Sequence, residues 1–313
     1  MYGRANVPHG LMFHHFTDAK HPAGQGAITA DQFSDMLRYA GLQRILSPET
    51  WKQKARSGRL APGDLCITFD DALLCQYEIA KPVLDDLGLQ AFWFVYSGVF
   101  EGRADRLEIY RHYRTTRFQD VDAFYEAFFR SLSCSVHRDQ YHAARSEFAN
   151  LSYLKEFGFY SDTDRLFRYL RDRILGPSGY FEAMDQMIEG DPSYSRSKAG
   201  EALWMKQHHL KQLYESGHEI GLHSYTHPTS IADLPTDEQR AEYEKNLTHL
   251  QKALGVTPDT MSHPCGSYNE ETLVVLRNMD VKMGFVSSMK LVDDPLCLPR
   301  QDHSNIAIEM GMR

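Results

Sequence analysis

The sequence predicts an α/β fold: one parallel, barrel-like sheet with helices outside it and a helical insertion in its middle. Three observations predict it. Apolar strands alternate with amphipathic helices over the first hundred residues, the order that builds a parallel sheet. That rhythm breaks between residues 101 and 200, where β-branched runs are scarce, and resumes afterwards. The 313 residues suit one large domain, 1–313, with 101–200 inserted in it.

The elements follow in order. Residues 10–16 read as the first strand, with His14 and His15 near its end, where alternation puts the two rings on opposite faces. In 29–40, Phe33, Met36, Leu37 and Ala40 recur at helical spacing and Gly41 closes the helix. Ser47-Pro48-Glu49-Thr50 opens a short helix, and Pro62-Gly63-Asp64 turns the chain into a second strand, Leu65 to Phe69. A helix over 77–87 ends at Gly88, and 89–96 is a strongly apolar strand.

Within the insertion, 121–132 and 163–175 read as helices, with Gly176-Pro177-Ser178-Gly179 and Asp191-Pro192-Ser193 as turns. The insertion is expected to cap the sheet, its aromatic and basic side chains lining a cleft or packing a small core of their own. Beyond it come a helix over 203–216, a strand over 218–224, a long helix over 235–254 ended by Gly255, and strand plus loop over 260–269. A helix over 271–279, a strand over 282–287 and a last short strand over 296–300 complete the order.

Composition narrows the function. The formal net charge of −8 argues against a nucleic-acid surface, and 42% hydrophobic residues argue against disorder. The start has no apolar leader and no run is long enough to span a bilayer, so a cytoplasmic protein without a transmembrane segment is expected. The five cysteines, Cys66, Cys75, Cys134, Cys265 and Cys297, are odd in number and form no C-x-x-C pair. They read as reduced thiols, so any metal must be held by histidine and carboxylate.

Two stretches carry candidate chemistry. Asp70-Asp71 follows the second strand directly, at the end of a sheet where α/β folds bind ligands. There one carboxylate can hold a metal while the other takes a proton; the plainer role for either is to cap the helix that follows. His223-Ser224-Tyr225-Thr226-His227 sets two imidazoles four residues apart, a spacing that brings both to one face of a helical turn. Two histidines and a carboxylate suit a catalytic zinc, and equally iron, cobalt or nickel.

With Thr68-Phe69-Asp70-Asp71-Ala72, His223-Ser224-Tyr225-Thr226-His227 and His263-Pro264-Cys265-Gly266-Ser267-Tyr268-Asn269 in this order, the sequence resembles the polysaccharide deacetylases, the NodB-homology carbohydrate esterases. The resemblance covers residues 11–300 except the insertion. It implies a distorted (β/α) barrel of the NodB-homology type with one divalent metal, zinc by preference, held by Asp71, His223 and His227. It makes Asp70 the general base and gives the backbone N–H near Cys265, which stands where a Tyr is common, to the oxyanion.

Two family features are missing. Ser262 occupies the place of an Arg that orients the base, and Arg300 is the expected replacement. The C-terminal Leu-x-His-Asp motif is absent, but a circularly permuted branch of the family carries its catalytic histidine in the first strand after an aromatic. Phe13-His14 matches that pattern, which makes His14 the expected general acid. The implied activity is removal of an N-acetyl or formyl group from an amino sugar, borne by a sugar nucleotide, an oligosaccharide or a lipid-linked sugar in surface-polysaccharide assembly. The alternative is a non-catalytic barrel that binds glycan or metal. Iron(II) oxygenase chemistry would leave Asp70 without a role.

Overall fold

Short, uninterrupted apolar runs such as Leu65–Phe69 and Phe92–Val95 are buried along their whole length, as strands covered on both faces must be. A computed structural model of the chain describes residues 2, 7–155 and 161–312. Among them seven strands form one sheet: β1 (His9–Phe13), β2 (Leu65–Phe69), β3 (Phe92–Val95), β4 (Glu219–Leu222), β5 (Thr260–Ser262), β6 (Met283–Phe285) and β7 (Arg300–Asp302). The helices are α1 (Ala30–Ala40), α2 (Pro48–Arg56), α3 (Lys81–Leu87), α4 (Arg106–Arg117), α5 (Val121–Ser133), α6 (Arg138–Phe148) and α7 (Asp162–Tyr169). They continue with α8 (Gly176–Glu189), α9 (Arg196–Leu203), α10 (Gln207–Glu215), α11 (Thr236–Leu254), α12 (Glu270–Asn278) and α13 (His303–Glu309). None is long and apolar enough to cross a membrane.

The chain divides into two compact units, Met1–Asp105 with Gly200–Arg313, and Arg106–Ala199. In the first, the strand order is β6-β5-β4-β3-β2-β1-β7 and every pairing is parallel. The segment before β7 returns alongside β6: Leu298 N–H donates to the Gly284 carbonyl at 2.9 Å and Val286 N–H to that of Leu298 at 2.9 Å. The sheet thereby becomes a nearly closed barrel. Glycine at 284 is what allows it, because a Cβ there would lie 2.3 Å from the Leu296 carbonyl oxygen. Cys66 of β2, Phe92 and Phe94 of β3 and Met283 and Phe285 of β6 share one buried cluster with Trp51. Since β2 and β6 are not neighbours in the sheet, these side chains meet across the barrel interior. Alternation then points Thr68 and Asp70 inward with Cys66.

The second unit is helical. Phe124, Phe128, Phe167 and Tyr180 pack edge to face or tilted at 5.1–6.1 Å, around buried Leu132, Leu170 and Met184.

Several expected boundaries are corrected. β1 ends at Phe13, so His14 and His15 escape strand alternation and lie near each other, ring centroids 6.3 Å apart. Gly176-Pro177-Ser178-Gly179 is the first turn of α8 rather than a loop, since proline is tolerated where helical N–H groups have no partner. The expected 163–175 helix passes into a π-helical stretch at Leu170–Leu175, and 77–87 begins with another at Gln76–Ala80. The 203–216 helix is interrupted, because Trp204 pairs antiparallel with Leu73 and Met205 N–H donates to the Ala72 carbonyl at 2.9 Å. The last strand begins at Arg300 instead of ending there, and α13 follows it.

Candidate metal centre

The strand ends deliver the side chains of the site. After β2 the chain bends through two left-handed residues, Asp71 (φ 78°) and Ala72 (φ 54°), and so leaves the pleat. Asp70 keeps its inward direction while Asp71 is turned out of strand alternation. Gln76, fully buried, fixes this bend: its Nε2 donates to the Asp70 carbonyl at 2.6 Å and the His14 carbonyl at 2.8 Å, tying the ends of β1 and β2 together.

After β4 the two histidines converge on Asp71 without forming the helical turn expected from their spacing. Ser224 (φ 67°) and His227 (φ 57°) are left-handed, and His227 N–H donates to Ser224 Oγ at 3.1 Å. Glu242 of α11 pins the loop by accepting from the Tyr225 and Thr226 N–H groups at 2.9 and 2.7 Å. Buried Asn246 accepts from His223 N–H at 3.0 Å and donates to Val95 O and Ser97 Oγ at 2.9 Å each.

His223 Nε2 and His227 Nε2 lie 3.4 and 3.3 Å from Asp71 Oδ1, and the two rings are 4.9 Å apart. For metal bonds of about 2.05 Å, tetrahedral ligand atoms sit about 3.3 Å from one another. Tautomers sharpen the point. His223 Nδ1 is 2.8 Å from the Ser262 carbonyl and His227 Nδ1 is 3.2 Å from Asp105 Oδ2, so each Nδ1–H donates and each neutral Nε2 presents a lone pair. Two lone pairs thus face a carboxylate oxygen that is buried and takes no hydrogen bond. Such a set is suited to a cation. Without a metal, protons are drawn in: burial would lower His227, but Asp71 and Asp105 outweigh it and push its pKa up to about 9. Asp71 is held far below the carboxylate range, its own burial being overcome by His227, His223 and His14. Asp71, His223 and His227 therefore form a group that can hold a metal ion.

Asp70 has a different setting. Arg300, 1% exposed, lies inside the barrel and grips it in two-pronged fashion, NH1 to Oδ1 at 2.7 Å and NH2 to Oδ2 at 2.8 Å. Arg300 also donates to Ser262 Oγ at 2.6 Å and Val286 O at 3.1 Å. Burial would raise the Asp70 pKa, but Arg300 outweighs it and keeps the group ionised. Ser262, where the resemblance wanted an arginine, is one of the partners that orient Arg300.

His14 sits half-buried with Nε2 3.7 Å from Asp70 Oδ2. Burial lowers its pKa against the pull of Asp71 and Asp70. Cys265 lies in a left-handed turn (φ 50°), and no acceptor for its N–H is found among the described residues. Cys265 is exposed at its surface, yet desolvation of its thiol by its surroundings, with Asp71, Asp105 and Asp70, pushes the pKa up to about 12 and keeps the group neutral. Asp105, Gln76 and Asn246 lie outside every motif, and sequence reasoning missed them. A polar residue on the buried face of a predicted helix was the only signal, and it pointed to Asn246 alone.

Part of the chain is similar to known proteins. Residues 192–284 match the family model described as polysaccharide deacetylase, a span that includes His223, His227, Ser262 and Cys265. Chitin deacetylase 1 of Cryptococcus neoformans var. grubii is 27% identical over 105 residues, 33% of this chain; the match spans only 22% of that protein. Among solved structures, the Streptococcus pyogenes deacetylase PplD in complex with acetate gives a TM-score of 0.55 at 16% identity, covering 95% of this chain and 91% of its own. IcaB from Ammonifex degensii gives 0.54 at 16% identity, over 95% and 91%. At such identities the structural likeness is one of fold. Residues 192–284 are thus similar to the polysaccharide deacetylases, and the barrel shares the fold of these solved structures.

Proposed function

We propose that this chain is a metal-dependent hydrolase that removes an N-acyl group, acetyl or formyl, from an amino sugar. The observation that carries the reading is one buried carboxylate oxygen faced by two imidazole lone pairs, with a second carboxylate clamped beside it. A divalent ion held by Asp71, His223 and His227, zinc by preference, supplies Lewis acidity that lowers the pKa of a water molecule and polarises the acyl carbonyl.

The remaining work falls to the chain. Asp70, kept ionised and immobile by Arg300, accepts the proton of the attacking water. His14 Nε2, 3.7 Å from Asp70 Oδ2, passes a proton to the departing amine nitrogen. The free N–H of Cys265 serves the oxyanion. The non-catalytic alternative drew on the missing motif arginine and the unusual Cys265; Arg300, meeting Asp70 from another strand, speaks against the first of these grounds.

The test is amine release from N-acetylated and N-formylated amino sugars, presented as sugar nucleotides, oligosaccharides and lipid-linked sugars, with Zn²⁺ or Co²⁺ restored. Asp70→Asn is expected to lose at least about 100-fold in rate. Equal rates for the two proteins would refute the assignment of the base, and no turnover of any substrate by the wild type would return the barrel to a binding role.

A further inference from the structure

A second group of donors lies at the ends of β1 and β7, separate from the Asp71 group. Met12 of β1 is in register with Asp302 of β7, so the residues just beyond, His14 and His303, are brought together by the sheet. The ligand atoms of His14, Asp302 and His303 all lie within 4.8 Å of one another. His303 is 7% exposed. Its Nε2 is 2.9 Å from the Gly26 carbonyl and must donate to it, which leaves Nδ1 as a buried lone pair with no hydrogen-bond partner among the described residues. That lone pair is 3.8 Å from Asp302 Oδ1. Asp302 Oδ1 already caps α13, accepting Ser304 N–H at 2.8 Å, so Oδ2 is the oxygen left to a further ligand.

We propose that His14, Asp302 and His303 form a second divalent-cation site, weaker than the Asp71 group, whose filling withdraws His14 from proton transfer and so inhibits the enzyme at excess metal. Two imidazoles and one carboxylate are a donor set for zinc, cobalt or nickel. The buried Nδ1 of His303 gains the partner it lacks, and half-exposed His14 gives the ion a path from solvent. Two features make the site weak. Its donors are more widely spaced than the roughly 3.3 Å of a tetrahedral set, so side chains must shift to close on the ion. The N-terminus of α13 also points positive charge toward it. Binding is independent of the hydrolase reading, whereas the inhibition rests on it.

The metal-free protein is titrated with Co²⁺, followed by its visible absorption and by calorimetry, and amine release is measured across the same titration with Zn²⁺. The expected result is two bound ions, the second at least about tenfold weaker. Activity rises with the first equivalent and falls with the second. His303→Gln, which keeps a donor for the Gly26 carbonyl, is expected to bind one ion with unchanged affinity, reach the same peak activity within about twofold and lose the inhibitory phase. Asp302→Asn, which still caps α13, is expected to weaken only the second ion.

One equivalent in the wild type would overturn the proposal and leave a buried water as the partner of His303. Two equivalents in both variants at unchanged affinity would overturn it as well. Failure of the hydrolase reading is distinguishable, because it removes turnover at every metal concentration while leaving the stoichiometry open to measurement.

Discussion

Replacing Arg300 with methionine tests the interior of the barrel directly. Methionine fills the stem's path past Gly10, where a Cβ would already meet Arg300 Cγ at 3.0 Å, but it supplies no donors. The change strips Asp70 of both guanidinium bonds, at 2.7 and 2.8 Å, and the Val286 carbonyl of a third at 3.1 Å. Asp70 is 3% exposed, so water cannot replace them. Removing one partner of such a buried pair costs about 3–5 kcal/mol. Asp70→Asn should cost less, since the amide still offers Arg300 one acceptor and no charge is left facing Asp71. If the pair is real, the double variant recovers at least about 2 kcal/mol relative to the sum of the singles, because methionine then faces a neutral amide. Urea unfolding of the metal-free proteins at neutral pH, followed by circular dichroism, measures all four corners. Additivity within about 0.5 kcal/mol would refute the buried clamp. In the same series Arg300→Lys keeps the charge but loses the fork, and it is expected to fall between wild type and methionine.

Zinc at a thousandfold excess over its dissociation constant should raise stability by about 4 kcal/mol, seen as a higher thermal midpoint, and Asp71→Asn should abolish most of the gain. Asp105→Ala frees His227 Nδ1 and should weaken metal binding by about 10–100-fold in a chelator competition while leaving the apparent KM of the reloaded enzyme unchanged. His218 is kept neutral, its pKa lowered to about 4 by burial, and its Nδ1 accepts Ala91 N–H at 3.1 Å. The unfolded chain takes up that proton near 6.5, so stability should fall by about 3 kcal/mol as pH drops from 6.5 to 4, and His218→Gln should remove this share of the slope in a pH series of thermal midpoints.

What the sequence disclosed depended on whether the signal was local. The 3.6-residue spacing of Phe33, Met36, Leu37 and Ala40 marked the buried stripe of α1, and Thr29 caps that helix as its residue type suggests. The strand ends that carry Asp70, Asp71 and His223 were legible because apolar runs stop there. Arg300 and Asp70 are 230 residues apart and Asp105 and His227 are 122 apart, and no local pattern encodes either meeting. The first follows from the strand order β2-β1-β7 and the second from the pairing of β3 with β4, neither of which is written in a local pattern. The π-helical stretch that places Gln76 was hidden for a related reason: its residues favour an ordinary helix, and tertiary contacts set the register.

Backbone conformation shows the same conflict at higher cost. Among the described residues, seven other than glycine have positive φ, and five of them, Asp71, Ala72, Ser224, His227 and Cys265, lie in the three loops of the candidate metal centre. A left-handed conformation costs such a residue about 1 kcal/mol or more. Any one of these positions would be cheaper with glycine, yet a side chain is required at Asp71 and His227 to reach the shared point. The barrel beneath must therefore hold the loops against their own preference. It does so through hydrogen-bonded anchors: buried Gln76 under the first loop, and buried Asn246 with half-buried Glu242 under the second. Propensity fails as a guide at these positions because their geometry is set by the convergence of Asp71, His223 and His227 on one point rather than by the chain's local preference.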